Sequence, residues 1–125
     1  MNAAEFHSLV VREFPDLGQD FDEWGDELHH LQMMEFLIFT QGAIAARSFE
    51  TVEKCFAIAT AALNTGDKAL RNAIYVSFLE GLDFRSEAGK HAATLMPSDL
   101  QKGRHDILDY DQRLLGRKWP TDDRE

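Results

Sequence analysis

The sequence predicts an all-α fold, a compact bundle of five or six helices built around a central antiparallel helical hairpin. Three observations carry this. Apolar residues recur at i, i+3 and i+4 through most of the chain, helix-stop and helix-start residues fall between those runs, and no alternating run is bounded by hairpin turns.

The elements follow in order. Residues 3–14 place Phe6, Leu9, Val10 and Phe14 on one face, and Pro15 stops the run because it lacks an N–H and clashes with a preceding helical turn. A long segment then runs from Asp22 or Asp26 to Arg47, with Leu28, Leu31, Met34, Ile38 and Ala45 as its stripe. Within it MMEFLIF is apolar almost all round, the pattern of a central helix packed on several sides. Gly42 is placed to break this helix or to let another approach closely. Ser48 is the expected N-cap of the next helix, whose core face is Val52, Cys55, Phe56, Ala59, Ala62 and Leu63. Gly66 and Asp67 read as a C′ glycine followed at once by an N-cap carboxylate, after which Leu70, Ile74, Phe78, Leu79 and Leu82 continue the pattern. These two helices form the hairpin. Residues 87–96 form a short helix ending before Pro97. Ser98 and Gln101 have capping-box spacing, and Leu100, Ile107, Leu108, Leu114 and Leu115 make the last stripe, with Gly116 as its stop. Residues 1–125 are expected to form one domain, with 117–125 a frayed tail.

Composition narrows the class. At 44% hydrophobic and 28% charged the chain is globular rather than disordered. Cys55 is the only cysteine, which excludes an intrachain disulfide and fits a reducing compartment. No apolar run reaches the roughly 18 residues of a membrane span, and the N-terminus lacks the basic region of a secretory signal. A cytoplasmic location is the expectation. The net charge is −9, and the excess sits in residues 1–47, which hold nine acids and two bases. Such a surface repels phosphate backbones and anionic membranes, so a nucleic-acid or membrane partner is disfavoured and a basic protein is favoured.

The excess is densest in DLGQDFDEWGDELHH, residues 16–30, where Asp16, Asp20, Asp22, Glu23, Asp26 and Glu27 surround Phe21 and Trp24 without a single Lys or Arg. A calcium loop fails there. Counted from Asp20, Trp24 stands at a ligand position and Leu31 at the twelfth; counted from Asp16, Gly18 and Phe21 are misplaced. Acids near a helix start complement its dipole, but six within twelve residues exceed that need. An aromatic inside a ring of like charge suits docking of a basic protein, and Asp16, Asp20, Asp22, Glu23, Trp24, Asp26 and Glu27 are the candidate contact residues. The plainer alternative has Phe21 and Trp24 turned inward as a staple while the acids face water.

A metal reading competes. Glu27 and His30 form a Glu-x-x-His pair, and Glu35 lies nearby on the same helix. Di-iron bundles use two such pairs and two more glutamates, and the second pair is absent here. Cys55 sits on an apolar stripe, where a thiol packs as a small hydrophobe; His105 and Asp106 are adjacent and diverge on a helix; the eight glycines form no phosphate loop. No catalytic set and no cofactor site emerges, so the expectation is a protein that is not an enzyme.

The span RSFETVEKCFAIATAALNTGDKALRNAIYVSFLEGLDF, residues 47–84, resembles the central hairpin of small helical bacterial proteins, several of which look like immunity partners of secreted toxins. The resemblance implies an acidic cytoplasmic protein that binds a toxin domain and blocks it, and the acidic charge makes a basic toxin domain the fitting partner; the resemblance carries over no functional residue. A metal-binding protein built on Glu27, His30 and Glu35, and a scaffold or adaptor, are the alternatives.

Overall fold

The structure, a computed structural model, describes residues 1–17 and 29–115, with the backbone alone for 29–31 and 111–115. Among the described residues the fold is all-α and holds no strand.

Helix α1 spans Ala3–Glu13 and starts in a reciprocal cap. The Glu5 N–H donates to Asn2 Oδ1 and the Asn2 N–H to Glu5 Oε1, both at 2.9 Å. Two otherwise orphaned donors are thereby satisfied, an arrangement worth about 1 kcal/mol. The helix buries Phe6 and Val10 and ends at Phe14, whose backbone (φ −138°, ψ 80°) leaves the helical region as the residue before a proline must.

Helix α2, His29–Ala45, is the hub. It packs against three later helices and the π-helix described below. Its buried face is Met33, Phe36, Leu37, Thr40 and Ile44. This corrects the expected stripe: Met34, Ile38 and Ala45 point to solvent, while Leu28 and the side chain of Leu31 lie outside the described residues. The reason is that a run apolar on all sides has no periodicity to choose a face. Aromatic packing chooses it instead, with Phe36 edge-on to Phe6 at 5.7 Å and stacked on Phe78 at 5.0 Å. Gly42 neither breaks the helix nor admits a neighbour; it is exposed, with open space where a Cβ would stand. The helix closes at Arg47, whose φ of +59° is left-handed. The Arg47 N–H donates to the Ile44 carbonyl and the Ser48 N–H to that of Ala43, which together form a Schellman closure.

Helix α3, Phe49–Thr65, and helix α4, Lys68–Ala73, are the central hairpin. Every residue expected on the α3 core face is buried, and Ile58 joins them. Ser48 occupies the N-cap position without a side-chain cap bond, because its backbone is already bent into the Schellman closure. Gly66 is extended (φ −73°, ψ 153°), not left-handed as a C′ glycine would be. Its role is steric, since a Cβ there would run into the Ala62 carbonyl oxygen. Asp67 caps α4 as expected, accepting the Leu70 N–H at 2.9 Å, and its own N–H donates to the Met1 carbonyl at 2.7 Å. The α4 rod continues without a break into a π-helix, Ile74–Leu79, and buries Leu70, Ile74, Phe78, Leu79 and, beyond it, Leu82.

Helix α5, Glu87–Thr94, is capped by Ser86, whose Oγ accepts the Gly89 N–H at 2.9 Å. Gly89 is needed for close approach, because a Cβ would stand 2.7 Å from Phe84 Cα. Helix α6, Ser98–Leu115, begins directly after Pro97. Ser98 is already helical and Gln101 does not close a box with it; its Nε2 donates to the Met96 carbonyl at 2.7 Å instead. Leu100 and Leu108 are buried and Ile107 half-buried; the side chains of Leu114 and Leu115 lie outside the described residues, as does Gly116. No helix among the described residues is long and apolar enough to cross a membrane.

Candidate binding surface

The outward face of α2 is the feature the core does not account for. Ile38 is 60% exposed and Met34 44%, although both lie in the most apolar stretch of the chain. Among the described residues the other exposed large hydrophobics, Val11, Val76 and Tyr110, stand on three different elements. Met34 and Ile38 are one helical turn apart, so their side chains sit one above the other. Ala45 continues the exposed line two turns on. Such a stripe leaves apolar area in water, which a partner could cover at a gain of about 25 cal/mol per Å².

The acidic candidates precede α2 in the sequence. Asp16 is exposed, next to buried Leu17, so its carboxylate faces water. Asp20, Asp22, Glu23, Trp24, Asp26 and Glu27 lie outside the described residues, and so does the choice between a docking aromatic and an inward staple. The His30 backbone belongs to the first turn of α2, and Glu35 is half-buried on the same helix. Among the described residues no three His, Cys, Asp or Glu side chains are grouped to hold a metal.

The remaining chemistry-bearing residues have structural settings. Cys55 is fully buried; burial pushes its thiol up from 9.0 to about 11, against the smaller opposing effect of a hydrogen bond with Thr40. A thiol so held is not a nucleophile near neutral pH. Asp106 pairs with Lys102 at 2.9 Å, and this bond raises the lysine's pKa. Asp83 is held at about 2, chiefly by the Arg85 side chain and then by the Arg85 backbone N–H.

One residue is absent from the sequence-derived candidates. Arg104 is only 6% exposed, with its guanidinium carbon 4.8 Å from the centre of the Phe84 ring and Nη2 donating to the Leu82 carbonyl at 3.3 Å. It stands four residues after Leu100 and four before Leu108, in the middle of an apolar stripe. A cation at such a position is a signal that periodicity alone makes visible.

Comparison with known proteins adds one match. A family model described as a domain of unknown function (DUF7674) matches residues 7–114. No curated protein and no solved structure matches the chain.

Proposed function

The chain belongs to the DUF7674 family, and we propose that it works as a protein-binding module whose partner is basic. The observation that carries this reading is the outward face of α2, where Met34 and Ile38 are exposed directly after an acidic segment. An apolar centre beside a rim of one charge is how protein interfaces divide their labour: the buried centre sets the dissociation rate and the charges speed association. The nine acids against two bases in residues 1–47 provide the steering field.

The specific form we propose is an immunity role, in which the module covers a basic toxin domain and blocks it. The likeness of residues 47–84 to the hairpin of immunity-type proteins supports it. An adaptor role would use the same surface with a different partner.

The test compares the parent with a Met34→Asp, Ile38→Asp double variant. Both side chains face water, so the variant should melt with the parent. Proteins captured from the native host by the parent and not by the variant are then purified and their binding measured directly. A basic partner should bind the variant at least about tenfold more weakly, which corresponds to roughly 1.4 kcal/mol. Its association rate with the parent should fall as salt rises. For the immunity form, co-expression should relieve the partner's toxicity. If parent and variant capture the same proteins with the same affinity, this face is not the interface.

A further inference from the structure

Three helical elements meet around a polar cavity of about 360 Å³: the end of α3, the α4 rod with its π-helix, and the first half of α6. Its floor is set by buried Gly103, where a Cβ would stand 3.1 Å from Leu79 Cδ1 and 3.4 Å from Tyr75 Cε1, so α6 lies close against the rod. The lining carries two cations, Arg71 and Lys102, and two carboxylates, Asp99 and Asp106. We propose that this cavity binds a free α-amino acid, with its carboxylate on Arg71 and its ammonium on Asp99.

The four charges are not used alike. Lys102 and Asp106 are spent on each other at 2.9 Å, one helical turn apart. Asp99 is held by a neutral group: its Oδ2 accepts from Asn64 Nδ2 at 2.9 Å, and its Oδ1 is open among the described residues. The Arg71 side chain has no hydrogen-bond or ion-pair partner among the described residues, and no ion pair joins it to Asp99 although both border one cavity. Gly66 helps to place it, since a Cβ there would stand 3.3 Å from Arg71 Cγ; the glycine leaves room for the arginine stem at the hairpin turn. One cation without an anion and one carboxylate without a cation thus border the same space.

Charge balance selects the class of ligand. With two positive and two negative groups the lining sums to zero, so an anion such as phosphate is opposed by Asp99 and Asp106, and an amine or metal ion by Arg71 and Lys102. A zwitterion finds an opposite charge at each end. The planar guanidinium fork matches a carboxylate through two parallel hydrogen bonds, and an ammonium donates to the open oxygen of a carboxylate. At about 30 Å³ per small group the volume admits roughly twelve non-hydrogen atoms, the size of an amino acid with a medium-length side chain. Half-buried Tyr75 offers its ring to an aromatic side chain, and the Lys102–Asp106 pair offers a donor and an acceptor to a side-chain amide. The site shares no residue with the Met34 and Ile38 face, and neither proposal depends on the other.

The test is titration of the full chain with L-phenylalanine and L-glutamine at low ionic strength, followed through backbone amide signals in ¹H–¹⁵N spectra. At least one of the two should shift the signals of Asn64, Arg71 and Gly103 saturably. The N-acetyl form of that amino acid, which lacks the ammonium, and its carboxamide, which lacks the carboxylate, should each bind about tenfold more weakly or worse, because each loses one charge-assisted contact. Arg71→Gln and Asp99→Asn should each weaken binding to the same extent. Both side chains are exposed, so both variants should melt with the parent, and Asn at 99 keeps an acceptor for Asn64. The proposal is overturned if neither amino acid gives saturable shifts, if the N-acetyl form or the carboxamide binds as well as the zwitterion, or if either variant, folded, binds unchanged; the four charges are then a solvated surface cluster.

Discussion

Gln41 on α2 grips the backbone of Asp83 through both halves of its amide: Oε1 accepts the Asp83 N–H at 2.8 Å, and Nε2 donates to the Asp83 carbonyl at 3.3 Å. One side chain thus satisfies both backbone polar groups of a loop residue and ties the hub helix to the segment that carries Phe84. Gln41→Leu should lower stability by about 1–2 kcal/mol, since it removes two hydrogen bonds near the surface. Urea denaturation measures this; an unchanged midpoint would mean that water replaces the clamp without cost.

The same loop sets an acid limb. Asp83 has its pKa lowered from 3.8 to about 2, first by the Arg85 side chain and next by the Arg85 backbone N–H. The unfolded chain binds this proton more readily than the folded one. The contribution is therefore present above about pH 3.8 and is lost as pH falls toward 2. Asp83→Asn should flatten the stability profile in that window, and thermal melts of the two proteins between pH 2 and 5 read the difference.

Two glycines should respond in opposite ways to alanine. At Gly89 the new Cβ would meet the Phe84 backbone at 2.7–2.8 Å, and backbone cannot step aside as a side-chain tip can. Gly89→Ala should cost about 1–3 kcal/mol. At Gly42, in the exposed interior of α2, nothing stands within 4 Å, and alanine should stabilise by about 0.5–1 kcal/mol through helix propensity. Chemical denaturation of both variants checks the signs.

Cys55 predicts an alkaline limb. Below pH 9 both folded and unfolded chains keep the thiol protonated. Above it the unfolded thiol ionises while the buried one holds its proton to about 11, so stability should fall across that window, by roughly 3 kcal/mol at most. Cys55→Ala is less stable overall but should lack this component. The native thiol should also react slowly with a thiol reagent and quickly in denaturant; fast native labelling would place it at the surface.

Arg47 holds the left-handed position that glycine usually takes. Relief of the Cβ crowding, about 1–2 kcal/mol, exceeds the added entropy of an unfolded glycine, about 0.4–1 kcal/mol. Arg47→Gly should raise stability by about 0.5–1 kcal/mol, and a β-branched residue such as valine should lower it. Melts of the two variants decide it.

What the sequence makes legible depends on contrast. The α3–α4 hairpin can be read in advance, down to Cys55 and Phe78, because polar residues on the outer faces sharpen its apolar stripe. Helix α2 can be located but not oriented: with Met33, Met34, Phe36, Leu37 and Ile38 in one run, the choice of face belongs to tertiary packing. Exposure of Met34 and Ile38 is consequently invisible from sequence. Caps fail where two motifs compete for one residue, as at Ser48 and Gln101. Arg104 is legible by spacing, since Leu100 and Leu108 stand four residues to either side and place it on the buried line, although its charge alone points to solvent.

The π-helix at Ile74–Leu79 has a consequence for how this chain tolerates change in length. Its wider ring of hydrogen bonds holds one more residue per turn than the α-form. Deletion of a single codon elsewhere in a core helix turns every later side chain by about 100° and carries the apolar stripe off the core. Within 74–79 the same loss can be absorbed: removal of exposed Val76 lets the wide turn tighten to an α-turn while Leu70 before it and Leu82 after it keep their places. The rod that carries the core's main aromatic stack is thus also the place where the reading frame has a residue to spare.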